Sequence, residues 1–140
     1  MSHTPQPSTI AETLLVVENE AAIATLVRLA LERHGYVVLT ALSGSEALRL
    51  AAAHTGPIHL LITDVEMPDL RGPDVARRLA EQRPALATLF MSGNIDTLGD
   101  LTSALPVPVD FIQKPFSPGA LAVKVREMLD GRRGSRGEPT

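Results

Sequence analysis

A carboxylate, Asp64, follows the apolar run His59-Leu60-Leu61-Ile62-Thr63 and opens the polar loop 65–72. A run of that length reads as a buried strand. The C-terminal edge of a parallel sheet is where open α/β proteins bind ligands and do chemistry. Other apolar runs end in the same way. The run 14–17 leads into Glu18-Asn19, the run 87–91 into Ser92, and the run 109–113 into Lys114. A carboxylate can attack a phosphoryl group and form an aspartyl phosphate. Two anions approach each other only when a cation neutralises them. Asp64, Glu18 or Asn19, and a backbone carbonyl after Asp64 offer the oxygen donors that Mg2+ prefers. Lys114 supplies a charge for phosphoryl oxygens, and the Ser92 hydroxyl supplies one hydrogen bond.

These groups converge only if the strands that carry them are neighbours. Strand-like and helix-like segments alternate along the chain. The strand 14–17 precedes a helix over 20–34, with Ile23, Leu26, Val27, Ala30 and Leu31 on one face and Gly35 as its stop. The β-branched run 36–40 is a second strand. Ser43-Gly44-Ser45-Glu46 has the form of a capping box and opens a helix to about His54. The third strand, 58–63, leads to a helix begun by Gly72-Pro73 and running to about Gln82, and the fourth strand spans 87–91. Apolar spacing over 95–104 suggests a helix, weakened by Gly99. The fifth strand, 109–113, alternates like an edge strand. Ser117-Pro118 opens a last helix with Leu121, Val125, Met128 and Leu129 inward, stopped by Gly131.

Five βα units imply a doubly wound parallel sheet with helices on both faces. Strands one, three and four are the most uniformly apolar, as interior strands should be, so the expected order is the flavodoxin-like 2-1-3-4-5. That order places the strand ends carrying Glu18, Asp64, Ser92 and Lys114 side by side. The expected organisation is a flexible lead over 1–11, one domain over 12–130, and a disordered basic tail over 131–140.

The 140 residues carry a net charge of −3, which gives no reason to expect nucleic-acid binding. There is no cysteine, which excludes disulfides, zinc-thiolate sites and a cysteine nucleophile. The first dozen residues lack the layout of a signal peptide, and no apolar stretch approaches a membrane span. His3, His34, His54 and His59 are scattered and suggest neither a metal cluster nor a phosphorylated histidine. The expectation is a soluble, cytoplasmic domain.

Four segments together resemble the receiver domain of two-component response regulators, over about residues 12–130. They are Leu14-Leu15-Val16-Val17-Glu18-Asn19-Glu20; Leu60-Leu61-Ile62-Thr63-Asp64-Val65-Glu66-Met67-Pro68 with Gly72; Phe90-Met91-Ser92-Gly93; and Phe111-Ile112-Gln113-Lys114-Pro115-Phe116. The wording of the last two is most similar to receivers of hybrid sensor histidine kinases. The resemblance implies that Asp64 is the phosphoacceptor, Lys114 the phosphate-pairing cation, and Ser92 with Phe111 the switch pair. It also implies a cis Lys114-Pro115 peptide, which only an X-Pro bond reaches cheaply. Glu66 and Asn94 would flank the attacking water and tune phosphoryl lifetime. The metal ligands would be Glu18, Asn19, Asp64 and the Glu66 backbone carbonyl, holding Mg2+. The phosphoryl donor would be a histidine kinase or a histidine phosphotransfer protein. A downstream protein would bind near the fourth helix, fifth strand and fifth helix, with the Gly99-interrupted segment 95–108 setting mobility and partner choice.

Asn19 departs from the family pattern, which places two acids after the first strand. Weaker Mg2+ binding and slower phosphorylation are expected, and Glu20, pointing into the first helical turn, is a doubtful substitute. Asn19 is equally readable as an N-cap for the helix begun at Glu20. One alternative is a pseudo-receiver, an interaction module that is not usefully phosphorylated. Another is a small phosphatase with an aspartate nucleophile, against which stand Glu66 two residues after Asp64 and the lack of a cap domain. The implied chemistry is at most self-phosphorylation and autodephosphorylation.

Overall fold

β1 (Thr13–Val17) is buried at every position, β3 (Leu60–Asp64) at all but its last, and β4 (Ala87–Ser92) throughout. Strands covered on both faces need this unbroken apolar character. β2 (Val37–Ala41) and β5 (Val109–Gln113) are only partly buried. All pairings are parallel and the sheet order is β2-β1-β3-β4-β5, as expected from the composition of the runs. The computed structural model describes residues 11–94, 96, 99, 103 and 105–137, with side chains described as far as Gly131. The expected lead, apart from Ala11, and much of the expected fourth helical segment therefore fall outside the described residues.

Alternation along each strand separates two cores. Leu15, Val17, Leu61 and Phe90 face α2 (Gly44–Ala53) and α3 (Gly72–Gln82). Leu14, Val16, Leu60, Ile62, Leu89 and Met91 face α1 (Ala21–Glu32) and the C-terminal helix α4 (Pro118–Gly137). Burying a leucine side chain of this kind stabilises the fold by about 2 kcal/mol. The small aliphatic core thus compensates for the scarcity of aromatic residues.

Local sequence explains the helix ends. Ser43 caps α2, its hydroxyl accepting from the Glu46 amide at 3.1 Å. The Glu46 carboxylate reaches back to the Leu42 amide at 2.7 Å, a capping box displaced by one residue. At the other end of α2, the Arg83 guanidinium donates to the carbonyls of Ala51, His54 and Gly56. Pro73 lies in the first turn of α3, and the Ser117 hydroxyl accepts from the Ala120 amide at the start of α4.

Three expectations need correction. Leu26 does not join the inward face of α1; it is 67% exposed, and Ala24 faces the core with Val27 and Leu31. The helix turns the face of Ala24, Val27 and Leu31 onto the sheet, leaving Leu26 exposed. Asn19 is not the cap of α1. The cap position is Glu20, no side chain caps it from there, and Asn19 is exposed. The Glu18 carboxylate instead accepts from the Glu20 amide at 3.0 Å. Gly131 does not end the last helix, which continues to Gly137. A glycine stop works through a left-handed conformation. Gly35 after α1 adopts it, at φ 91°, and Gly131 does not.

Candidate functional site

Adjacent strands β1 and β3 bring Glu18 and Asp64 to the same edge of the sheet, since Val17 pairs with Thr63 in register. The Glu18 amide donates to the Ala41 carbonyl at the end of β2, which prolongs the strand pairing by one residue and fixes the turn. Its side chain is fully buried. β4 and β5 place Ser92 beside Gln113, and the Lys114 amide donates to the Ser92 carbonyl at 2.8 Å. The Lys114-Pro115 bond is cis.

Lys114 joins the two acids. Its Nζ donates to Glu18 Oε1 at 2.7 Å and to Asp64 Oδ2 at 3.2 Å. The lysine side chain is mostly buried, so these contacts are little screened. Burial pushes the Asp64 carboxyl above its usual range, the Glu18 charge adds to this, and Lys114 only partly offsets both. Burial works against the charge on Lys114, but the hydrogen bonds and charges of Glu18 and Asp64 outweigh it and raise its pKa. Carboxyl and ammonium groups perturbed by burial and by one another in this way cluster at functional sites.

The remaining expected residues make side-chain contacts of their own with groups other than this triad. Ser92 is buried, and its hydroxyl both donates to the Asn94 carbonyl and accepts from the Asn94 amide. It is turned into its own loop. Asn94 is exposed and its side-chain oxygen accepts from the Asp96 amide. Phe111 is half-buried and stacks on Phe90, with ring centroids 6.2 Å apart. Glu66 is exposed and paired with Arg71 at 2.8 Å. Asn19 lies next to Glu18 with its side chain in solvent. Among the described residues, no three His, Cys, Asp or Glu side chains gather into a group that could hold a metal ion.

Two parts of the site were not legible beforehand. The ion pair from Glu66 to Arg71 spans the loop after Asp64, and its spacing carries no helical or strand periodicity that would flag it. Asp69 reaches across to α2, accepting from the Gly44 and Ser45 amides and the Ser45 hydroxyl. These hydrogen bonds lower the Asp69 carboxyl to about 2. The capping box at Ser43 marked the start of α2, but it gave no sign that a second acceptor comes from 24 residues further on.

Gly72 closes the loop. Its amide donates to the Val65 carbonyl, and a Cβ at this position would lie 2.3 Å from the Asp64 carbonyl oxygen. Only glycine permits that approach.

The sequence and the fold have counterparts among known proteins. The family model for the response regulator receiver domain matches residues 14–126. The sensor kinase CckA of Brucella abortus is 35% identical over 118 residues, which are 84% of this chain and 12% of that protein. The alkaline phosphatase synthesis transcriptional regulatory protein PhoP of Bacillus subtilis is 34% identical over 116 residues, 83% of this chain and 48% of the regulator. The chain thus spans about half or less of the length of these curated relatives. Among solved structures, the receiver domain of the hybrid histidine kinase CckA is 33% identical with a TM-score of 0.71, covering 84% of this chain and 98% of that one. A CheY-like receiver domain protein from Methanospirillum hungatei shares the fold with a TM-score of 0.80 at 24% identity, over 90% of this chain and 99% of that one. The chain belongs to the response regulator receiver domain family of two-component systems.

Proposed function

We propose that Asp64 accepts a phosphoryl group from a phosphohistidine on a histidine kinase or histidine phosphotransfer protein in the cytoplasm. The observation that carries this reading is the bridge from Lys114 to both Glu18 and Asp64 at the carboxyl edge of the sheet. An Asp64 oxygen forms the new O–P bond while the N–P bond of the phosphohistidine breaks, and the departing imidazole takes a proton from solvent. Lys114 is placed to pair with phosphoryl oxygens as they arrive, exchanging its bond to Asp64 for one to the phosphoryl group. The Ser92 hydroxyl, now bonded to the Asn94 backbone, is the neighbouring donor that can turn towards it.

Mg2+ fits the chemistry of the donors. The Glu18 and Asp64 carboxylates, the Asn19 amide oxygen and the Glu66 backbone carbonyl are all hard oxygen ligands. When bound, the ion would neutralise charge between the carboxylate and the phosphoryl group. Two carboxylates against one ammonium leave a single net negative charge, so binding is weak. Phosphorylation then shifts a two-state surface that includes Phe111 and β5, through which a downstream protein is recognised. Glu66 and Asn94 set how long the acyl phosphate lasts.

Asn19, an amide beside Glu18 where the family pattern has a second acid, favours one second reading, a receiver fold that acts by binding alone. The two are separated by incubating the chain with a radiolabelled phosphohistidine donor and Mg2+. Label that appears on the chain and is released by hydroxylamine, as an acyl phosphate is, supports phosphotransfer. Binding of the donor with no transferred label supports the second reading.

A further inference from the structure

The loop between β3 and α3 carries Glu66, and three separate contacts hold it. At its ends, the Gly72 amide donates to the Val65 carbonyl, and the Val65 amide donates to the Met91 carbonyl at 3.2 Å. In its middle, Asp69 takes hold of α2. Oδ1 accepts from the Gly44 amide at 3.1 Å, and Oδ2 accepts from the Ser45 amide at 2.9 Å and the Ser45 hydroxyl at 2.7 Å. A carboxylate facing the amides of a helix N-terminus gains from both hydrogen bonding and the helix dipole. The close fit is steric as well. A Cβ on Gly44 would lie 2.7 Å from Leu70 Cβ and 3.1 Å from the Leu70 carbonyl oxygen, so the loop backbone rests directly on the helix.

The helix side of this clasp is anchored independently. Ala47 and Ala51 are buried in the core beneath α2, Ser43 caps the helix, and Arg83 closes its far end. On the loop side, Val65 and Met67 are buried in the core on either side of Glu66 and Leu70 packs against the same core, whereas Pro68, Asp69 and Arg71 are exposed. Among the described residues, the side chain that pairs with Glu66 is Arg71, in an exposed ion pair of the kind that holds geometry poorly. The exposed stretch of the loop, which carries Arg71, the partner of Glu66, is therefore placed against α2 by Asp69 and by the close approach of Leu70 to Gly44.

We propose that Asp69 is a positioning residue of the phosphorylation site, fixing the loop that presents the Glu66 carbonyl and side chain beside Asp64. This rests on the phosphoacceptor reading given above. Asp69 contacts neither Asp64 nor Lys114 and acts only through the loop. Because it is exposed, its replacement opens no cavity. Asp69→Ala removes all three acceptor contacts, Asp69→Asn keeps one oxygen and the shape, and Ser45→Ala removes the hydroxyl contact alone.

The test measures Mn2+ affinity, the rate of labelling by acetyl phosphate and the melting temperature on the full chain and these three variants. Asp69→Ala is expected to weaken Mn2+ binding and slow labelling by fivefold or more, with Asp69→Asn and Ser45→Ala in between. Loss ordered in this way, out of proportion to any fall in melting temperature, supports positioning. A lower melting temperature with Mn2+ affinity and labelling within twofold of the parent would overturn the proposal and leave a purely structural cap. A parent chain that neither binds Mn2+ nor takes label would instead overturn the phosphoacceptor reading, and this inference with it.

Discussion

Lys114 lies closer to Glu18 than to Asp64, at 2.7 Å against 3.2 Å, and Glu18 is the more deeply buried of the two acids. The lysine therefore has a fixed anchor on β1 and a looser partner on β3. Its ammonium can leave Asp64 for an incoming phosphoryl group without losing its place, because Glu18 still holds it. Glu18 also accepts from the Glu20 amide, so one carboxylate orients both the start of α1 and the lysine.

Removing the lysine should cost stability as well as activity. Lys114→Met leaves the buried Glu18 without its cation, a change expected to destabilise the fold by about 3 kcal/mol. Urea unfolding measures this. Lys114→Arg should recover part of the stability but not the labelling, since a planar guanidinium cannot occupy the position of a point charge on both acids.

Asn19→Asp restores a second acid beside Glu18. Divalent-cation affinity should rise about tenfold, equivalent to about 1.4 kcal/mol, as read by titration calorimetry with Mg2+. Asn19 is exposed and caps nothing, so little change in stability accompanies the gain. An unchanged affinity would remove Asn19 from the metal site.

The pH dependence of Asp64 follows from its surroundings. Burial first, and then Glu18, raise its pKa in the folded state above the ordinary value of 3.8. The folded chain then holds a proton that the unfolded chain has already lost, so this group's contribution is fully present below the ordinary value. It is lost as pH rises through the raised one. Asp64→Asn should therefore be more stable than the parent at neutral pH. Its advantage should shrink as the pH falls through that window, as followed by melting temperature across an acid-to-neutral series.

Gly72→Ala brings a Cβ to 2.3 Å from the Asp64 carbonyl oxygen, a backbone atom that cannot turn aside. A loss of about 2–3 kcal/mol is expected, in the range of overpacked cores, together with slower labelling at Asp64. Gly93→Ala meets nothing within 4 Å and should change stability by less than about 0.5 kcal/mol.

The sheet order was readable because burial on both faces demands continuous apolar strands, and β1, β3 and β4 are the runs that show it. Once that order was set, the positions of Glu18, Asp64, Ser92 and Lys114 followed from where each strand ended. What the residues do with one another was less legible. Asn19 has the residue type of a cap, since amides favour that position, yet α1 begins one residue later, with Glu20 at the cap position and Asn19 exposed. Leu26 matches the helical period, but the face buried on the sheet is that of Ala24, Val27 and Leu31. The Asp69 clasp joins residues 24 and 25 apart, and pairing at that distance is set by how α2 and α3 pack. Gly131 has the residue type of a stop without the left-handed backbone that makes one.

The most direct test of the central claim is intact mass after incubation with acetyl phosphate and Mg2+, run beside Asp64→Asn and an EDTA control. One phosphoryl adduct on the parent chain, absent from both controls, is the expected result. An adduct that persists in Asp64→Asn, or none on a parent chain shown to be folded, would contradict the assignment of Asp64 as phosphoacceptor.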